Sequence, residues 1–175
     1  MILSNLHTAE LFRAHTPRWS YAPLSGAGAA AQGGRFNRKG IEALYLTLEA
    51  VTALAEYQQV SPLLEPCLIT SYIASVGRLV DLRQFDGSDV WDPLWTDWDT
   101  DWRNFVFNLH IEPPTWVLGD LVRGAGHAGI LFPSVTNIGG TNIVLYQDVF
   151  ESGDTLTVHD PYHDLPNDQR SWARI

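Results

Sequence analysis

The chain has 175 residues, 45% of them hydrophobic, which fits one domain that buries a core without metal ions or disulfides. Cys67 is its only cysteine, so an intrachain disulfide and a metal cluster with several cysteine ligands are excluded. The formal net charge of -9 disfavours a nucleic-acid partner, because such proteins draw affinity from lysine and arginine side chains that neutralise phosphates.

Basic side chains are concentrated near the start of the sequence. The first forty residues contain five of them and a single acid, so we expect a small anionic ligand to bind there, unless these charges only form a solvated face. The sequence does not open with a basic stretch followed by an apolar run, and no segment has the roughly 20 apolar residues of a membrane span. We therefore expect a soluble protein of the cytoplasm with no membrane contact.

The first half of the chain predicts a strand, a long loop, a second strand and a helix. The first strand is predicted over residues 11–14, and the glycine- and proline-rich stretch that follows, up to residue 34, predicts a loop. Residues 43–47 are apolar enough for a buried strand. Residues 48–59 then change to helical spacing with good helix formers.

The second half predicts further strands around one helix. That helix starts at Pro113-Pro114-Thr115, where proline is tolerated in a first turn, and ends near Arg123 before two glycines. The predicted strands are residues 67–73, 77–81, 129–132, 141–146 and 155–159. These elements predict a single mixed α/β domain over residues 1–175, without indicating the order of its strands.

Four tryptophans alternate with aspartates between residues 89 and 108. They recur every three or four residues, which predicts an amphipathic helix with a tryptophan edge on the core and a solvated aspartate face. A partner surface is the alternative, because aromatic anchors rimmed by acids are typical of interface hot spots.

Several common binding motifs are not present. The glycines of residues 26–34 do not have the G-x-G-x-x-G spacing of dinucleotide-binding folds, and Lys39, the only lysine, belongs to no phosphate-binding P-loop. His159 and His163 are four residues apart, but Pro161 prevents the helix that would place both on one face. We therefore predict no metal site.

Four blocks in chain order carry a family resemblance. They are Gly33-Gly34-Arg35-Phe36-Asn37, then Tyr45 on a predicted strand with Glu56 on the next helix, then Pro133-Ser134 after an apolar strand, and Asn142 at the start of another. Together they resemble the RES-domain toxins, a family named for an Arg, a Glu and a Ser. Weaker blocks around Arg13 and over residues 165–172 extend the resemblance to nearly the whole chain, while residues 27–31 and 89–108 depart from it.

The resemblance implies both a fold and an activity. It implies a core of short strands with flanking helices, like that of ADP-ribosyl-transferring toxins, and an enzyme that consumes NAD+. It further implies the toxin of a prokaryotic type II toxin–antitoxin system, whose partner is a cognate, Xre-like antitoxin.

Glu56 is the first candidate for catalysis under this resemblance. Cleavage of the nicotinamide–ribose bond passes through a cation-like ribosyl centre, which a nearby carboxylate stabilises as charge develops. An arbitrary helix glutamate would instead be solvated or paired with an arginine.

The two candidate arginines are assigned to the phosphates. The guanidinium of Arg35, in its glycine-rich context, can grip a pyrophosphate with two parallel hydrogen bonds, and Arg13 can add a phosphate or ribose contact. A surface ion pair is the alternative for Arg35, and an ordinary strand residue is the alternative for Arg13.

Three further residues are assigned to nicotinamide or its surroundings. Tyr45 offers a ring to stack on nicotinamide and a hydroxyl to orient it, although a core tyrosine would fit the same pattern. Ser134 is expected to bind rather than attack, since no His-and-acid arrangement accompanies it, and Asn142 is expected to support its loop. Turn capping is the alternative for both.

Three functions follow from these observations. The leading hypothesis is an NAD+-cleaving toxin that transfers ADP-ribose to a host protein, to water or to phosphate. The second is a non-catalytic binding module that acts through residues 89–108. The third, a toxin that acts on nucleic acid, is disfavoured by the charge.

Overall fold

In the part of the chain that the structure describes, six strands form one sheet, and five of them close into a ring. The computed structural model describes residues 1–59 and 61–170 of the chain. The strands are β1 (Leu3–His15), β2 (Leu44–Thr47), β3 (Leu68–Asp81), β4 (Gly129–Pro133), β5 (Thr141–Leu145) and β6 (Thr155–Val158). The sheet order is β1-β2-β5-β4-β3-β6, and β1 also pairs with β3, so that β6 lies outside the ring. All pairs are antiparallel except β3 with β4.

The strands β1 and β3 are longer than predicted because they pair with each other over most of their length. β1 starts eight residues earlier than predicted because residues 3–10 pair with β3 along most of their length. The two strands predicted at 67–73 and 77–81 are one strand, β3, whose buried and half-buried positions alternate through the intervening residues. One edge of β3 binds β1, and its other edge binds first β6 and then β4, so its whole length finds partners.

Within the described residues, three α-helices flank the sheet: α1 (Ala27–Gln32), α2 (Ala50–Gln58) and α3 (Pro114–Gly124). The predictions of α2 and α3 are confirmed to within two residues at each end. The prediction of a continuous loop up to residue 34 is wrong, because the alanine-rich stretch there forms the short helix α1. Alanine has the highest helix propensity, which outweighs the glycine at position 28.

The prediction of one amphipathic helix over residues 89–108 is wrong. A 3₁₀ turn spans Pro93–Asp97 and a π-helical turn spans Asn104–Leu109, with irregular chain between them. Proline has no N–H to continue a helix, and aspartate side chains favour short turns by accepting nearby backbone N–H groups. The carboxylate of Asp92, for example, accepts the N–H of Leu94 at 2.9 Å.

The expected burial of the tryptophans is largely confirmed. Trp91, Trp95 and Trp102 are buried, and Trp98 is partly buried against the same core. Their aspartate neighbours are exposed. The segment is therefore attached to the core by its aromatic rings without being a helix.

Two apolar clusters lie on opposite faces of the closed sheet. Alternate residues of β2, β4 and β5 point to different clusters, as the two-residue period of a strand requires. One cluster joins the sheet to α3 and to residues 89–108, the tryptophan segment: Phe36, Ala43, Val80, Leu82, Trp91, Trp95, Leu118, Val122, Ile130, Phe132, Val144 and Tyr146. The other is built only from strand residues and Ala128: Leu11, Leu44, Leu46, Tyr72, Ala74, Val76, Leu79, Ala128, Leu131, Ile143 and Leu145.

Asp81, at the end of β3, is a fully buried carboxylate with many partners. It accepts hydrogen bonds from the Ser4 hydroxyl at 2.7 Å, from the Arg83 Nε at 2.7 Å and from the Gln84 amide at 3.1 Å. Burial alone would raise the pKa of this carboxyl, but these hydrogen bonds outweigh burial and lower the pKa to about 2. The ionised Asp81 therefore ties the start of β1 to the end of β3.

We predict that Asp81→Asn destabilises the protein by about 2 kcal/mol at neutral pH, because it removes a buried charge that several hydrogen-bond donors bind. The folded pKa lies below the ordinary value of 3.8, so the stabilisation is complete above that value and is lost as the pH falls through about 2. Urea unfolding between pH 2 and 7 measures this difference, which should shrink toward pH 2. The exposed Asp89→Asn is the control, and equal stability of wild type and Asp81→Asn at pH 7 would contradict the prediction.

Candidate functional site

The register of three strands places the predicted site residues on one face of the sheet. Thr47 of β2 pairs with Asn142 of β5, and Asn142 pairs with Phe132 of β4. Because side chains alternate along a strand, Tyr45, Asn142 and Phe132 point to the same side. A cleft of about 580 Å³ lies over this side, with further walls from β1, α1, α2, the loop at residues 33–35 and residues 102–107.

Glu56 of α2 reaches into this cleft and is held there by two donors. Its Oε1 accepts the Ser134 hydroxyl at 2.8 Å and the Asn142 amide N–H at 2.6 Å. Among the described residues, its other oxygen, Oε2, has no hydrogen-bond partner. Three of the predicted residues therefore meet in one contact, and one carboxylate oxygen of Glu56 remains free for a ligand.

The turn that carries Ser134 is fixed to α2 at a second point. The Ser134 Oγ accepts the N–H of Asn137 at 3.0 Å, and the Asn137 amide donates to the Thr52 hydroxyl at 2.8 Å. Gly140 closes the turn so tightly that a Cβ there would lie 2.3 Å from the Thr52 hydroxyl. Ser134 thus caps its turn, as the alternative reading predicted, and also donates to Glu56. Its contact with a ligand stays a prediction.

Tyr45 uses its hydroxyl on the neighbouring loop. The hydroxyl accepts the N–H of Phe36 and donates to the Asn37 side-chain oxygen, both at 2.9 Å. Burial raises the pKa of this hydroxyl, so it stays protonated. The phenol ring lines the cleft, but its hydroxyl is occupied in holding the loop that carries Arg35.

Helix α3 also packs against the loop that carries Arg35. The Trp116 indole N–H donates to the carbonyl of Gly34 at 2.8 Å. Gly119 allows the helix to approach so closely that a Cβ would lie 1.9 Å from the Phe36 carbonyl oxygen. The backbone before and after Arg35 is therefore fixed by contacts with β2 and α3.

Arg35 lines the cleft and holds a part of its wall. Its Nη1 donates to the carbonyls of Trp98 at 3.2 Å and Thr100 at 2.9 Å, so the surface ion pair considered for it does not form among the described residues. Burial, followed by repulsion from Arg103, lowers the pKa of this guanidinium, while the charge of Glu56 acts in the opposite direction. Arg35 and Glu56 therefore share one cleft and one electrostatic environment.

Arg13 occupies the same cleft from β1. Its Nη1 donates to the carbonyls of Pro23 and Ser25, each at 3.2 Å, which fixes the chain ahead of α1. Burial lowers the pKa of this guanidinium as well. All six predicted residues are thus brought to this region: Arg13, Arg35, Tyr45, Glu56, Ser134 and Asn142.

The wall that Trp102, Arg103 and Phe107 form is not among the predicted parts of the site. Arg103 and Phe107 line the cleft although they lie in the segment that was assigned to the core or to a partner surface. The only signal in the sequence is that Arg103 is basic in a strongly acidic stretch, and this does not indicate which way the side chain points.

A comparison with protein families decides the relationship. The model of the RES domain matches residues 10–168, which is most of the chain. This chain belongs to the RES domain family. The match includes residues 89–108 and ends at residue 168. The predicted block at 165–172 lies partly outside the described residues, which end at residue 170.

The RES domain is also similar to a solved structure. A chain in the crystal structure of the M. tuberculosis MbcT–MbcA toxin–antitoxin complex superposes with a TM-score of 0.56 and 20% sequence identity. The superposition covers 90% of this chain and 85% of that chain, so the likeness is one of the whole fold. No curated protein matches the sequence.

Within residues 1–59 and 61–170 of the RES domain, no helix is long and apolar enough to cross a membrane. In the same residues, no group of three or more His, Cys, Asp or Glu side chains is placed to hold a metal ion.

We predict that Tyr45→Phe lowers the stability of the RES domain by about 1–2 kcal/mol, because the Phe36 N–H and the Asn37 oxygen both lose a partner. Thermal unfolding measures the change. Tyr162→Phe is the matched control, since Tyr162 is 83% exposed and should not alter the midpoint. An unchanged midpoint for Tyr45→Phe would show that the hydroxyl does not hold the loop.

Proposed function

We propose that this RES domain is the toxin of a toxin–antitoxin pair and cleaves NAD+ at the bond between nicotinamide and ribose. The observation that carries the proposal is the carboxylate of Glu56, which stands in a cleft with one oxygen held by Ser134 and Asn142. A carboxylate fixed in this way is organised before substrate arrives, which is the condition for electrostatic stabilisation of a developing cation.

Glu56 acts on the ribose in this proposal. Its free oxygen accepts a ribose hydroxyl, and the hydrogen bond strengthens as positive charge develops on the ribosyl centre. Nicotinamide leaves with the electron pair of the broken bond, and the acceptor supplies the pair for the new one. Ser134 and Asn142 position Glu56 and do not attack.

The remaining residues fit the rest of a dinucleotide. Arg13 and Arg35 each keep donors beyond the Nη1 that binds backbone, and these can bind phosphate oxygens. The ring of Tyr45 can stack on an aromatic base. The buried Oδ1 of Asn142 has no partner among the described residues, and an amide N–H of the substrate would satisfy it.

The toxin role and the partner rest on relatedness. The family resemblance implies a cognate, Xre-like antitoxin, and the similar solved structure is titled a toxin–antitoxin complex. A non-catalytic module that acts through residues 89–108 is less well supported, because Trp91, Trp95 and Trp102 are buried and unavailable as surface anchors.

We predict that purified protein releases nicotinamide from NAD+ and that Glu56→Gln lowers the rate by about 10²–10³-fold, the loss typical of one electrostatic catalytic group. Chromatographic detection of nicotinamide measures the rate. Glu65→Gln, at an exposed position outside the cleft, is the control and should keep full activity. Undiminished activity or toxicity of Glu56→Gln would remove the catalytic assignment and favour the binding module.

Ser134→Ala should lower the same rate by about tenfold, less than Glu56→Gln, because Asn142 still holds the carboxylate. A loss equal to that of removing Glu56 would instead indicate that Ser134 takes part directly. The thermal midpoint of Ser134→Ala separates this effect from a general loosening of the turn.

The acceptor of ADP-ribose is decided by labelled NAD+ in host extract. Label fixed on a protein band indicates a transferase, whereas free ADP-ribose or its phosphate indicates water or phosphate as acceptor. Glu56→Gln is the control, since label that persists with this variant does not come from the proposed site.

A further inference from the structure

Trp102 and Arg103 line the cleft, and the chain over residues 98–102 that leads to Arg103 is held in place at two points. Arg35 binds the carbonyls of Trp98 and Thr100, and the ring of Trp102 is buried. The next residue, Arg103, lines the cleft. The segment therefore presents Arg103 from a fixed backbone and not from a free loop.

The guanidinium of Arg103 has no anionic partner of its own. Five aspartates lie in the same segment (Asp89, Asp92, Asp97, Asp99 and Asp101), yet among the described residues Arg103 makes neither a hydrogen bond nor a salt bridge. It stacks instead over the ring of Trp102, at 4.7 Å from the ring centroid. A ring holds a guanidinium in a fixed orientation without using up its N–H donors.

The side chains that line the cleft have a positive net charge, whereas the whole chain has a negative one. The chain has a net charge of -9, but the charged residues that line the cleft are three arginines, Arg13, Arg35 and Arg103, and one acid, Glu56. Arg13 and Arg35 both donate to backbone carbonyls, which leaves Arg103 as the guanidinium with all five donors available. Arg103 also lies close enough to Arg35 for the two to repel each other, a cost that a bound anion relieves.

We propose that Arg103, presented by the tryptophan segment, binds the diphosphate of the dinucleotide substrate. This assignment rests on the proposed function for the identity of the ligand, and on the geometry of the cleft for the anion itself. It gives Arg103 a role in substrate binding, within a segment for which the sequence predicted only core packing or a partner surface. In this proposal Glu56 binds the ribose and Arg103 binds the phosphates of the same substrate.

The test uses two ligands that carry a diphosphate and cannot lose nicotinamide. Calorimetric titration with ADP-ribose and with inorganic pyrophosphate should show affinities about tenfold weaker for Arg103→Gln than for wild type, the loss expected for one charge-assisted contact. Arg103→Met keeps the stem on Trp102 and should lose the same affinity, while Arg103→Lys should recover part of it. Arg18→Gln removes one exposed positive charge outside the cleft and should bind like wild type.

The kinetic outcome separates this inference from the proposed function. If wild type cleaves NAD+, Arg103→Gln should raise KM about tenfold and leave kcat within about twofold. Active wild type with unchanged KM and unchanged ADP-ribose affinity in both Arg103→Gln and Arg103→Met overturns the inference and leaves the function standing. Wild type that binds pyrophosphate through Arg103 but never releases nicotinamide overturns the function and leaves the anion site standing.

Discussion

The site depends on one carboxylate oxygen. Oε1 of Glu56 joins three parts of the chain, because its two donors, Ser134 and Asn142, are 78 and 86 residues away and belong to a turn and to a strand. The contact fixes the direction in which α2 presents its acid over the sheet. It also explains why the turn after β4 is so tightly built, since any shift of Ser134 moves Glu56.

Two arginines of the cleft have a structural role as well as an electrostatic one. Arg13 and Arg35 each bind two backbone carbonyls, so the residues that favour an anion also hold the walls around it. Burial makes their charges costly, and this cost is reduced when a negatively charged ligand enters. The positive field of the cleft and its shape are therefore coupled through the same side chains.

The sequence predicted α2, α3 and the strands β2, β4 and β5 closely, because each has a clear period and clear end signals. Prediction from the sequence failed where pairing between distant strands, or hydrogen bonds from side chains to the nearby backbone, decides the secondary structure. The full lengths of β1 and β3 come from their pairing with each other, and the tryptophan segment follows proline and aspartate turn chemistry despite its helical spacing. The role of Arg103 in the same segment was not predicted either. The direction of its side chain depends on a backbone that is bound by Arg35, 68 residues earlier in the chain.

By itself the sequence determined the chemical types at the site and the family to which the chain belongs, since short motifs in a fixed order carry both. Only the tertiary structure decided that Glu56, Ser134 and Asn142 meet at one oxygen, that the Tyr45 hydroxyl holds a loop, and that the tryptophan segment closes one side of the cleft. The reason is physical: residue type and local spacing set propensity and charge, whereas hydrogen-bond partners are chosen by strand register and by packing between segments far apart in sequence.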